Sequence, residues 1–263
     1  MKFWIFHVFL LITLSAGFLL SGCQTPTDDT LEIPPIQMIF VPGGIIYPTN
    51  GFYTGGSAVP DFYIGKYELT NAEWNAVMGS GVKDNYPHVV SWFGAIEYCN
   101  RRSLKEGLTP CYRYLTYGSN PDDWPSGWNT NSENSLNVSC WNADGYRLPS
   151  DAEWEYTARG GLNTHDYTYS GSNDINAVGW YSGNSGILRR VGQLAANELG
   201  TYDMSGNMWE WCWDAHVDYP NSAFHRAMRG GVYYWDASFC KVSFRNFPSP
   251  DSDAGFRVCR NSP

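Results

Sequence analysis

Gly145-Tyr146-Arg147-Leu148-Pro149-Ser150-Asp151-Ala152-Glu153-Trp154-Glu155-Tyr156 is the stretch from which the rest of the chain is read. Ser150-Asp151-Ala152-Glu153 is a capping box, in which a hydroxyl and a carboxylate satisfy orphan amides of a first helical turn. Gly160-Gly161 supplies the stop, so a helix of about two turns is expected between them. Upstream, Thr70-Asn71-Ala72-Glu73 repeats the box and predicts a short helix through about Met78. Ser91 begins another: Trp92, Ala95, Ile96 and Cys99 fall at i, i+3, i+4 and i+7 on one apolar stripe, which Gly107 ends.

The remainder is short strand-like runs punctuated by Gly, Asn, Asp and Pro. Residues 37–41 before Pro42-Gly43-Gly44, and residues 62–67, are the clearest strands. Residues 118–142 set Trp124, Trp128 and Trp141 among Asn, Ser, Pro and Gly without periodicity, and are expected to form a long loop packed by its own aromatics. This describes a loop-rich α+β domain held by aromatic burial, with no internal repeat.

The N-terminus carries one charge, Lys2, ahead of an apolar run to Leu20. That is a targeting segment and stands outside the fold. Leu20-Ser21-Gly22-Cys23 resembles a bacterial lipobox, which implies cleavage before Cys23 and acylation of it. An uncleaved anchor is the alternative, and both readings export the domain. The division is then 1–22 signal peptide, 23–36 lipidated Cys and polar tether, and 37–263 one domain. Gln24, where some lipoproteins carry an inner-membrane retention acid, points to the outer membrane and the bacterial cell surface.

With 26 acidic against 17 basic residues the net charge is −9, which argues against nucleic acid or an anionic membrane surface as partner. Six cysteines follow Cys23, at 99, 111, 140, 212, 240 and 259. They permit fifteen disulfide connectivities and contain no zinc-type CxxC pair.

From Met38 onward the motifs resemble the sulfatase-modifying-factor family, the formylglycine-generating-enzyme branch of the C-type-lectin-like fold. The resemblance is carried by Met38-Ile39-Phe40-Val41-Pro42-Gly43-Gly44, residues 67–74, residues 87–92, residues 145–156 and Gly200-Thr201-Tyr202-Asp203-Met204-Ser205-Gly206-Asn207-Met208-Trp209-Glu210-Trp211. Arg229-Gly230-Gly231 and Gly255-Phe256-Arg257-Val258 complete it. The family's enzymes oxidise a substrate cysteine with two copper-binding cysteines. Cys240 matches the second, but Trp235 occupies the first position, and one sulfur cannot build a two-coordinate copper(I) site. Cys240 is then a buried small hydrophobe or a disulfide half. The resemblance also implies calcium at Asp203, Gly206, Met208 and Glu210, through two carboxylates and two carbonyls; the same side chains could instead brace a tight loop. Such calcium would be structural, and no other cofactor is implied.

Residues 232–254 suggest the function. Tyr, Phe, Ser, Asp and Asn dominate there, a mixture like that of antibody paratopes, and an exposed cluster of this kind marks a recognition surface. The pattern resembles the variable proteins of diversity-generating retroelements, Treponema type. Tyr233, Tyr234, Asp236, Phe239, Phe244, Phe247, Ser249, Asp251, Ser252 and Asp253 fit that residue set, between fixed Ala237, Cys240, Arg245 and Gly255. Trp235 does not fit it. Tyr233 and Phe256, beside the glycine turns, read as core-packed. Phe244, Phe247 and residues 251–253 are expected at the surface, because Pro248 and Pro250 break any strand there.

The leading expectation is a surface ligand-binding lipoprotein for a protein or glycan on another cell or phage. The alternatives are a divergent oxidoreductase and a structural envelope lipoprotein. The oxidoreductase needs metal ligands, and His88, His165, His216 and His225 form no three-ligand motif.

Overall fold

The computed structural model describes residues 34–47, 56–79, 81–215 and 224–263. The signal segment, Cys23, most of the tether and His216 lie outside the described residues. In chain order the elements are β1 (Met38–Val41), β2 (Gly44–Ile46), β3 (Ser57–Val59), β4 (Phe62–Gly65), α1 (Asn71–Met78), α2 (Trp92–Lys105), β5 (Tyr112–Tyr114), β6 (Val138–Cys140), α3 (Asp151–Ala158), α4 (Ile175–Val178), β7 (Glu210–Ala215), β8 (Arg226–Arg229) and β9 (Cys259–Asn261).

Both capping boxes form. Thr70 and Ser150 each accept from the amide three residues on, and Glu73 and Glu153 each return to the cap amide. Ser91 caps α2, accepting from Gly94 N at 3.2 Å. The α2 stripe of Trp92, Ala95, Ile96 and Cys99 is fully buried, and burial of each large apolar side chain contributes about 1.5–3 kcal/mol. Helix α2 ends at Lys105, with Glu106 as its C-cap and Gly107 beyond it at φ 70°.

Strand β4 is central to an antiparallel sheet, with β1 on one side and β9 on the other. Val41, Phe62, Ile64 and Cys259 form a small core beneath it, together with Tyr156. The larger core gathers α1, α2 and the 118–142 region: Trp74, Trp92, Phe93, Tyr98, Trp128, Trp211 and Phe256. Its rings interlock edge to face, as in Phe93–Trp128 at 5.4 Å and 89°, the arrangement that ring quadrupoles favour.

Two expectations need correction. Residues 118–142 are not all loop, since β6 pairs with β5, Tyr112 opposite Cys140. That ladder is set from α2, where Asn100 Nδ2 donates to Tyr112 O at 2.8 Å and its Oδ1 accepts from Tyr112 N at 3.1 Å. No local pattern encodes it. The expected strand over 62–67 stops at Gly65, where the chain leaves the sheet. The six cysteines of the described residues are free thiols, all buried except Cys140.

Helix α3 explains why residues 145–156 dominate the reading. It is apolar on no single face: Asp151, Glu153, Trp154, Glu155 and Tyr156 are all buried. A helix with buried acids survives only where each acid is paired. Arg147 holds Glu153 through two 2.7 Å bonds. Arg229 from β8 and Arg245 from the C-terminal segment each bridge Asp151 and Glu155. Burial alone would raise both carboxyls, yet the two guanidiniums hold Asp151 and Glu155 below their usual range.

Candidate ligand-binding face

The turn over residues 203–207 builds the floor of the face. Asp203 and Asn207 adopt φ 58° and 59°, with Gly206 at 84° between them, the left-handed region that Asn and Asp tolerate better than other side chains. A Cβ at Gly206 would collide with the Trp180 carbonyl. Asn207 then serves three ways: Nδ2 donates to Glu68 Oε2 at 2.6 Å, Oδ1 accepts from Arg189 N at 3.0 Å, and its carbonyl accepts from Tyr233 N at 2.9 Å. The last bond fixes where the 232–254 segment begins. Burial, with Asp203 and Glu210 nearby, pushes the Glu68 carboxyl well above the usual range.

Cys240 fixes the segment next. Gly231 at φ 85° leaves room for it, because a Cβ there would lie 2.7 Å from Cys240 Sγ. Burial pushes the Cys240 thiol up to about 12, so it stays protonated and unreactive near neutral pH. Arg245 completes the frame through its pairs with Asp151 and Glu155. Arg229 Nη1 also donates to the Val242 and Phe244 carbonyls at 2.9 and 3.0 Å.

Between these anchors the aromatic side chains form one contiguous cluster. Tyr233–Tyr234 ring centroids are 4.8 Å apart, Tyr234–Trp235 6.2 Å, Trp235–Phe239 4.8 Å and Phe239–Phe244 5.1 Å. Trp209 lies under Trp235 at 5.7 Å and Phe244 at 5.9 Å. Tyr234 is 53% and Trp235 36% exposed, whereas Trp209 is 4%. Asp236, Ser238 and Lys241 are exposed among them, and Tyr233, Phe239 and Phe244 are half-buried.

The rest of the proposed set does not join this cluster. The prolines do not lift the chain clear of the fold. Asn246 exchanges backbone bonds with Met228 at 2.8 and 3.0 Å, and Pro248 O accepts from Arg226 N at 3.1 Å, so residues 246–248 lie along β8. In extended chain, side chains alternate faces, and Phe247 is turned away from Phe244, against a separate core of Trp154, Met204, Cys212 and Val242. Ser249 and Asp251 dock on the long loop instead. Ser132 Oγ bonds Ser249 Oγ at 2.7 Å and also Asp251 Oδ2. Asp251 and Asp253 are exposed and Ser252 is half-buried.

Sequence reasoning missed two members of the cluster. Trp209 falls within the family motif of residues 200–211, and Trp235 falls outside the residue set of variable proteins. The available signal was a large indole standing where the resembled enzymes place a metal-binding thiol.

The calcium set fits in one respect only. Asp203 Oδ1 is buried without a hydrogen-bond partner, while Oδ2 accepts from Gly192 N at 2.6 Å. Glu210, however, takes Arg257 Nη2 on Oε1 and Nε on Oε2, both at 2.6 Å, and Trp154 Nε1 on Oε2 at 2.7 Å. A cation would have to displace a bidentate guanidinium from a fully buried carboxylate, so these four residues do not compose a calcium site. Among the described residues, no group of three or more His, Cys, Asp or Glu side chains could hold a metal.

A loop-rich α+β frame that fixes its C-terminal segment by buried ion pairs is a C-type-lectin-like domain. The chain belongs to the sulfatase-modifying factor enzyme 1-like domain family, whose model matches residues 24–262. It is 37% identical to the chaperone protein LppX of Paenibacillus barcinonensis, over 99% of this chain and 100% of that protein. It is 32% identical to the formylglycine-generating enzyme of Thermomonospora curvata, over 43% of this chain and 48% of that enzyme. Among solved structures, Treponema denticola variable protein 1 superposes with a TM-score of 0.74 at 29% identity, covering 86% of this chain and 95% of that one.

Proposed function

We propose that this protein is a lipid-anchored envelope protein that binds a ligand on the face formed by Tyr234, Trp235, Phe239 and Phe244, and that it performs no oxidation. The observation that carries this reading is one continuous aromatic cluster, partly open to water, on a backbone locked by Asn207, Cys240 and Arg245. Rigid aromatics with small polar neighbours bind at low entropic cost. Likeness to a variable protein at 29% identity supports a display role. Acylation at Cys23 and outer-membrane surface display are parts of the same proposal, as is diversification within residues 232–254.

A buried, protonated Cys240 and an indole at position 235 argue against the copper chemistry of the enzymes in the family. A second reading has its own support, because a relative matched along its whole length carries the name chaperone. In that reading the face holds a polypeptide client in the envelope.

The test is binding of the wild-type chain and its Tyr234→Ala, Trp235→Ala and Phe244→Ala variants to protein and glycan arrays. The reading requires that at least one ligand lose tenfold or more in affinity in the variants. Equal binding by all four chains to every captured ligand would place the site elsewhere. Suppression of client aggregation, lost in the same variants, would select the chaperone reading.

A further inference from the structure

Two neighbouring cavities of about 650 and 300 Å³ lie at the end of β9, each within the size range of small-molecule sites. Neither is lined by any residue of the aromatic cluster. Both are lined by Asn142 and Asn261, and Asn261 Nδ2 donates to Asn142 Oδ1 at 2.9 Å. This bonded amide pair borders both cavities and makes them two halves of one groove.

Each half has an aromatic wall. Tyr63 lines the larger half and is half-buried, its ring 5.3 Å from that of Phe40. Trp141 lines the smaller half and is 49% exposed. The Arg113 guanidinium lies 3.7 Å from the centre of the Trp141 ring but does not line the cavity, so the indole is steadied from outside the groove.

Polar groups beside these rings are unspent. Among the described residues, Asn142 Nδ2, Ser262 Oγ and Tyr63 Oη have no hydrogen-bond partner, and the Arg260 guanidinium uses Nε alone, donating to Asp144 O at 2.9 Å. Charge is balanced within each half. Arg147 is bound by Glu153 through two 2.7 Å bonds, and Arg260 shares the larger half with Asp144. The nearby main chain is already occupied: Ala143 O accepts from Asn261 Nδ2 at 2.8 Å, and Arg147 and Cys259 exchange backbone bonds along the outer edge of β9. A peptide backbone would find that edge taken.

We infer that this groove is a second binding site, separate from the aromatic face, and that its ligand is a neutral oligosaccharide. The flat C–H faces of sugar rings suit Tyr63 and Trp141, one in each half. Sugar hydroxyls both donate and accept, and so match an amide, a guanidinium and hydroxyls gathered in one place. A phosphate or polycarboxylate would meet Asp144 and Glu153 with no cation in excess. A purely apolar ligand would bury the free amide and hydroxyl groups at a cost.

The test uses the full chain in detergent on a printed array of neutral di- to hexasaccharides, with acidic oligosaccharides and short peptides printed beside them. Captured oligosaccharides are then titrated against variants. The expected result is a loss of tenfold or more in affinity with Trp141→Ala and with Asn142→Ala, and no change with Tyr234→Ala. Trp141 and Asn142 are exposed, so their variants should melt as the wild type does. Ser262→Trp, which fills the groove and removes no bond of the fold, should abolish binding. Failure to capture any neutral oligosaccharide at millimolar concentration would overturn the proposal, as would equal binding by the wild type and all three groove variants. Trp141-dependent capture of acidic oligosaccharides or peptides alone would overturn the ligand class. Neutral oligosaccharide binding that is lost with Tyr234→Ala and kept with Trp141→Ala would overturn the groove and leave the aromatic face standing.

Discussion

Arg245 Nε donates to Asp151 Oδ2 at 2.7 Å, joining the middle of the C-terminal segment to the first turn of a helix 94 residues earlier in the chain. Arg229 uses the other oxygen of the same carboxylate. The C-terminal segment is thereby held at a point that does not depend on its aromatic side chains. The aromatic face inherits its rigidity from that point.

Replacing Arg245 by Met should therefore destabilise the domain by about 3–5 kcal/mol, the usual consequence of removing one partner from a buried ion-pair network. Arg245→Lys should recover only part of it, since an ammonium cannot bridge two carboxylates as a planar fork does. Denaturant melts of the two variants decide this, and losses below about 1 kcal/mol for Met would mean the network is dispensable.

Tyr234→Ala should shift stability by less than about 1 kcal/mol, because about half of its side chain is open to water. A ligand-binding role then predicts tenfold or greater loss of affinity at nearly unchanged melting temperature. Trp209→Ala should behave differently and cost about 3–5 kcal/mol, as removal of a buried indole leaves a cavity.

Burial above all pushes Asp203 up to about 6 from 3.8. A carboxyl raised in the folded state binds its proton more tightly there than in the unfolded chain. Its contribution to stability is full below pH 3.8 and is lost as pH rises to about 6. Asp203→Asn has no such titration, so its stability relative to wild type should rise by roughly 2–3 kcal/mol between pH 4 and pH 7. Parallel stability profiles for the two chains across that interval would refute the assignment.

The bond pattern at Glu210 predicts that a calcium chelator leaves the melting temperature unchanged. Glu210→Gln should cost about 3–5 kcal/mol, because Arg257 would be left buried with a neutral partner. Thermal scans with and without chelator and added calcium test the first statement, and a calcium-dependent rise of several degrees would show that Arg257 yields to the ion.

Cys240 with its thiol at about 12 should react with a thiol reagent at pH 8 roughly a thousandfold more slowly than in the unfolded chain, since only the thiolate attacks. Peptide mapping after timed alkylation measures this. Rapid labelling of Cys240 in the folded protein would reopen a catalytic role for it.

Much of the frame was legible locally. The Thr70 and Ser150 boxes, the Trp92–Cys99 stripe and the glycine stops each act within a few residues, through amides and hydroxyls that are neighbours in the chain. The ordered motifs from Met38 to Val258 placed those elements in a known fold. The glycine at 206, flanked by Asp203 and Asn207, could likewise be read as a strained turn.

What tertiary structure alone decided is which side chains share a surface and which charges meet. Phe244 and Phe247 are three residues apart and similar in kind, but pairing of 246–248 with β8 sends them to opposite sides. Glu210 has the residue type of a calcium ligand, and only the approach of Arg257 from the end of the chain commits it to an ion pair. Capping and periodicity are set by neighbours in sequence, whereas exposure and ion pairing are set by groups that folding brings from tens to hundreds of residues away.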